Sequence, residues 1–137
     1  MSEREAIVSR AIAALNEADW KALADCMHPE MRLTQPVPDV GQTSYPSHTG
    51  TYDSKEETAG MLEGMAAAYR GVQIELRWTE EVGSDGMLYE FLWLIGPERE
   101  RSAQLNWGLS RFRDGLVVSS SIFSSESAAR QAIERGA

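Results

Sequence analysis

Glu90 is the one charge in the stretch Met87 to Ile95, Met-Leu-Tyr-Glu-Phe-Leu-Trp-Leu-Ile. A carboxylate among leucines is costly to desolvate unless it is paired or protonated. Burial would raise its pKa towards neutrality and suit it to shuttle a proton. Glu90 is therefore the first candidate for acid/base catalysis, and an ion pair with Arg77 or Arg111 is the structural alternative. His48 is the second candidate, since imidazole exchanges protons near neutral pH. A solvated loop histidine is its alternative. Gln35 and Asn106 carry neutral amides that can hydrogen-bond a carbonyl or an oxyanion without ionising. Tyr45 and Tyr52 are placed to shape an entrance beside His48. His28 precedes Pro29 at a helix end, where the helix C-terminus accounts for it.

Other chemistries find no motif. His28 and His48 lack metal-ligand spacing, and a lone Cys26 provides neither a thiolate pair nor an internal disulfide. No Gly-rich phosphate loop is present, so no metal and no cofactor is expected. No Gly-x-Ser-x-Gly elbow occurs either.

These residues need elements to hold them. Ile7, Val8, Ala11, Ile12 and Leu15 repeat at helical spacing behind Ser2, with Glu5 at the capping-box position. Asp19 reads as the cap of a second helix carrying Trp20, Leu23, Ala24 and Met27, which Pro29 ends. Met31 to Pro36 reads as a short strand. Val37 to Asp53 is irregular and rich in Pro and Gly, and three rings in it suggest a loop over a pocket. Ser54 caps a third helix with Met61, Leu62, Met65 and Tyr69 on its buried stripe, and Gly71 follows as its stop.

Four strands complete the chain. They run from Val72 to Val82, through Met87 to Ile95, Ser102 to Arg113, and Leu116 to Phe123, with Gly83-Ser84-Asp85-Gly86 and Asp114-Gly115 as hairpin turns. A short terminal helix follows Ser124 or Ser125. Hairpin-linked antiparallel strands with segregated helices define an α+β fold. Three helices on the concave face of a curved sheet would leave a cone-shaped cavity, a common ligand site.

At 137 residues, the chain is expected to form a single domain spanning 1–137. A net charge of −8 and the lack of a basic, aromatic-interleaved patch argue against nucleic acid and anionic membrane as partners. The charged start and the absence of a spanning apolar run lead us to expect a cytoplasmic protein.

Ala14-Leu-Asn-Glu-Ala-Asp-Trp-Lys-Ala-Leu, His28-Pro-Glu-Met-Arg-Leu, Gly50-Thr-Tyr and Arg111-Phe-Arg-Asp-Gly-Leu-Val together resemble the nuclear transport factor 2-like superfamily, and more narrowly its SnoaL-like branch. The resemblance covers almost the whole chain. It implies the cone fold but leaves open isomerases, cyclases, hydrolases, dehydratases and non-enzymes. Ketosteroid isomerases place a base where Gln35 stands, a tyrosine at Ala11 and a protonated aspartic acid near Gly108, so their apparatus is missing. The Asp-Arg-Asp set of limonene epoxide hydrolases has no counterpart. The acid of polyketide cyclases is replaced in Ser121-Ile-Phe-Ser-Ser.

In the register the resemblance implies, Leu88, Glu90, Leu92 and Leu94 line the cavity. Tyr89, Phe91 and Trp93 then form an outer face that makes a homodimer. The expected function is binding of a small apolar molecule, with cofactor-free isomerisation, cyclisation, dehydration or hydrolysis as its catalytic form. A non-catalytic binding or accessory protein is the alternative.

Overall fold

The structure is a computed structural model and describes residues 2–35 and 50–137. Helices α1 (Glu3–Asn16) and α2 (Trp20–Asp25) precede β1 (Met27–Gln35). A short β2 (Gly50–Tyr52) leads to α3 (Lys55–Tyr69). Then come β3 (Val72–Val82), β4 (Gly86–Ile95), a 3-10 turn (Glu98–Glu100), β5 (Ser102–Arg113), β6 (Leu116–Phe123) and α4 (Glu126–Glu134).

Each α-helix starts on a side-chain cap, which satisfies a backbone N–H the first turn leaves unpaired. Ser2 accepts from the Glu5 N–H, Asp19 from Ala22, Ser54 from Glu57 and Ser125 from Ala128. Two ends differ from expectation. Arg70 itself takes the left-handed cap of α3 (φ 63°), one residue before Gly71. Pro29 lies inside β1, because that strand already begins at Met27.

Among the described residues, six strands form one sheet in the order β2-β1-β6-β5-β4-β3. All neighbours are antiparallel except β1 and β6. Asp114 and Gly115 both take positive φ, 56° and 75°, as the tight β5–β6 hairpin requires. The ladder slips between Leu76 and Trp78 and again between Arg111 and Phe112. Such bulges add local twist and bend a sheet.

Helices α1, α2 and α3 cover one face of the sheet, here the inner face, and enclose the core around Ile7, Leu15, Leu23, Met31, Leu62 and Phe91. At edge strand β3, the Asn16 side chain accepts from the Ile74 N–H at 2.7 Å and donates to its carbonyl at 3.0 Å. Both groups would otherwise be an open sheet edge.

The opposite, outer face carries α4. Arg130 of α4 reaches Glu80 on β3, and Glu80 stands opposite Leu88, which stands opposite Leu109. Leu88, Leu109 and Ala129 are buried at this end.

Candidate functional site

Pairing fixes which side chains of β4 face the helices. Ile74 stands opposite Trp93, Leu76 opposite Phe91, and Tyr89 opposite Gly108. This row meets α1 and α3. It stacks along the strand, with Tyr89 and Phe91 centroids 5.7 Å apart and Phe91 and Trp93 edge-on at 5.4 Å.

Between this row and the helices lies a cavity of about 100 Å³. Apolar side chains from α1 (Val8, Ala11, Ile12), β1 (Met27, Met31, Leu33) and α3 (Leu62) form most of its wall. Four hydroxyls interrupt the apolar lining: Thr58, Tyr89, Ser110 and Ser120. Thr58 donates to the Ser54 carbonyl at 2.9 Å, so it is engaged with its own helix.

The other three hydroxyls form a cluster. The Tyr89 hydroxyl lies 3.1 Å from Ser110 Oγ, which lies 2.8 Å from Ser120 Oγ. Burial pushes the Tyr89 phenol above its usual pKa, while the hydrogen bonds of Ser110 and Ser120 pull it part of the way back. The phenol therefore stays protonated, as a donor, across the neutral range.

The structure corrects the expected register of β4. Leu88, Glu90 and Leu92 point away from the cavity, and Tyr89, Phe91 and Trp93 point towards it. Glu90 is half-buried in an outer-face row of Trp78, Glu90, Trp107 and Phe123, and it accepts a hydrogen bond from Trp107 Nε1 at 3.1 Å. Neither arginine expected as a partner holds it: Arg111 pairs with Asp85. The acid/base role for Glu90 loses its basis, since it does not line the inner-face cavity. The expected dimer face of Tyr89, Phe91 and Trp93 is likewise overturned, because those rings are the cavity floor.

Asn106 does lie on the inner face, opposite Phe91 and 6% exposed, though outside the cavity's immediate lining. Its Nδ2 donates to the Phe123 carbonyl at 3.2 Å, and its Oδ1 is buried with no partner. Flipping the amide would set two oxygens against each other, so the orphan is an acceptor. Tyr52 packs against the core beside Leu33. Of Gln35 only the backbone is described, and Tyr45 and His48 lie outside the described residues.

His28 sits between Glu30 and Asp114, at 3.9 and 3.6 Å. Cys26 is buried, which pushes its thiol pKa up and keeps it unreactive. Among the described residues, no group of three or more His, Cys, Asp or Glu side chains could hold a metal. No described helix is long and apolar enough to cross a membrane.

The hydroxyl cluster was missed in sequence because serines in a strand read as surface. Ser110 and Ser120 do stand on the same rows as buried Met87 and Leu33.

Comparison with solved structures agrees with this architecture. Bal32a from a soil-derived mobile gene cassette superposes with a TM-score of 0.75 at 14% identity, covering 96% of this chain and 95% of that one. TerC co-crystallized with polyporic acid gives 0.73 at 17%, covering 97% and 99%. A cystatin-like-fold protein of unknown function from Xanthomonas campestris gives 0.72 at 20%, covering 97% and 98%. No curated protein matches significantly. The SnoaL-like domain profile matches residues 8–120, which take in most of the sheet, α2, α3 and the larger part of α1, and the chain belongs to that family.

Proposed function

We propose that this protein binds a small, largely apolar molecule in the cavity between α1, α2, α3 and the sheet. The observation that carries this reading is the cavity itself: apolar on nearly all sides, with one hydroxyl cluster to orient a guest. That pattern is typical of ligand sites. Similarity to TerC, which was co-crystallized with polyporic acid, is in keeping with it. Asn106 is a second polar anchor on the inner face beyond the cavity's immediate lining, where its orphaned Oδ1 would accept from a ligand or a bound water. Among the described residues no carboxylate, imidazole or amine lines the cavity, so we put binding ahead of acid/base catalysis.

Methyl NMR tests it. Cyclohexanone should shift Met27, Met31 and Leu62 saturably. Ala11→Phe, which fills the space, should abolish those shifts. Shifts that persist in the filled variant would place the ligand elsewhere.

We also propose that a second copy covers the outer face. Trp78, Leu92, Leu94, Trp107 and Phe123 are only partly covered there, and Leu105 is 40% exposed. A contiguous apolar surface of this kind is unusual on a monomer.

A further inference from the structure

Glu90 is a carboxylate without a cation. It stands between Trp78 and Trp107 on the outer face, in the row that ends at Phe123. Trp107 Nε1 donates to its Oε1 at 3.1 Å. Among the described residues nothing else bonds the carboxylate, so water solvates Oε2 while the face is open.

A second copy laid over this face changes that balance. It strips water from Glu90 along with Trp78, Leu92 and Trp107. A carboxylate buried without a counter-charge is costly. A covered Glu90 must therefore gain either a cation or a proton.

The outer face carries one suitable cation. Leu76 faces the helices, so Arg77, next along β3, falls on the outer side, and the bulge brings Trp78 to that side as well. Arg77 is exposed and makes no ion pair among the described residues. Within its own chain Trp78, not Arg77, stands opposite Glu90. The other arginines near this face are committed, Arg111 to Asp85 and Arg130 to Glu80 and Glu126. Glu75, opposite Leu92, adds further negative charge beside the row.

Two-fold symmetry supplies what one chain lacks. In an isologous contact, if one residue touches a second across the axis, the second touches the first in return. An axis passing between Arg77 and Glu90 brings each arginine to the other copy's carboxylate.

Resting on the dimer reading above, we propose that Glu90 is an intersubunit anchor whose Oε2 accepts from Arg77 of the second copy. Trp107 holds the other oxygen in place. A guanidinium also stacks on aromatic rings, which suits a slot bounded by Trp78 and Trp107. The pairing makes the face specific for a second copy of this chain rather than for any apolar surface.

The test follows Arg77→Glu and Glu90→Arg, each in the full chain, by sedimentation equilibrium, alone and mixed. Alone, each variant sets like charges together at both contacts and should dimerise at least about tenfold more weakly than wild type. Mixed in equal amounts, the two meet with opposite charges at both contacts. The mixed dimer should recover to within about threefold of the wild-type affinity, which also shows that both variants are folded. Arg77→Ala, which only trims an exposed side chain, should by itself weaken the dimer about tenfold.

An unchanged dimer in Arg77→Ala overturns the pair and leaves the dimer reading standing. A mixture no tighter than its two components also overturns it, because the residues then do not meet across the axis. A wild type that stays monomeric removes the dimer reading and this inference with it.

Discussion

The Tyr89 ring lies directly over Gly108 on the neighbouring strand. A β-carbon built on Gly108 would come within 2.4 Å of that ring. The missing side chain lets a bulky phenol lie down on the sheet and deliver its hydroxyl to Ser110.

Gly108→Ala should therefore destabilise the protein by about 1–3 kcal/mol, the usual cost of overpacking. The two residues should be strongly coupled. In a Tyr89→Leu background the same substitution should cost much less, because the ring it strikes is gone. Urea denaturation of the four proteins measures this, and equal costs in both backgrounds would rule out the contact.

Tyr89 should make stability fall at alkaline pH. Its folded pKa is raised, so the unfolded chain loses the phenol proton first. The contribution is fully present below the unfolded value of about 10. It is lost as pH rises through the higher folded value, at up to about 1.4 kcal/mol per pH unit. Urea midpoints between pH 9 and 11 should drop less steeply in Tyr89→Phe than in wild type.

Glu90→Gln should leave cyclohexanone affinity unchanged to within about 0.5 kcal/mol, as expected for a site with no shared partner. The side chain is on the far face of the sheet, bonded to Trp107. A large loss of affinity would mean that Glu90 reaches the cavity after all.

Leu105→Lys should turn a dimer into a monomer, read as a halved mass by light scattering. A monomeric wild type would dispose of the second copy on the outer face.

Arg130→Ala should loosen α4 without touching the cavity. Arg130 holds Glu80 at 3.1 Å and Glu126 at 2.8 Å, which raises its pKa further. Faster amide exchange confined to 126–134 is the expected result.

The elements were legible in the sequence because their signals are local. Caps at Ser2, Asp19 and Ser54 and the Asp114-Gly115 turn each depend on neighbours within a few residues. The orientation of β4 was not legible. Both its faces are apolar, so alternation alone names no inner side. The bulge hides the rest. An unbroken ladder counted back from Val82 opposite Gly86 would set Leu76 opposite Leu92, but the slip before Trp78 sets it opposite Phe91. The extra residue, in β3, thus puts Leu76 and Ile74 on the inner face with Phe91 and Trp93, while Trp78 shares the outer face with Glu90. Asn106 could be found as a polar residue among apolar ones, whereas the Tyr89–Ser110–Ser120 cluster required knowing three strands' register at once.

The parallel pairing of β1 with β6 bears on how the protein is made. While the chain emerges from the ribosome, β1 has, among the described residues, three register partners, all in β2, until Leu116–Phe123 has been synthesised. Met27, Met31 and Leu33 wait for Val117, Ser120 and Ile122 before the cavity wall can close. Such sequence-distant contacts are slow to form. The cavity then closes only once β6 has been made, late in translation, and a guest present at that moment would favour completion of the fold.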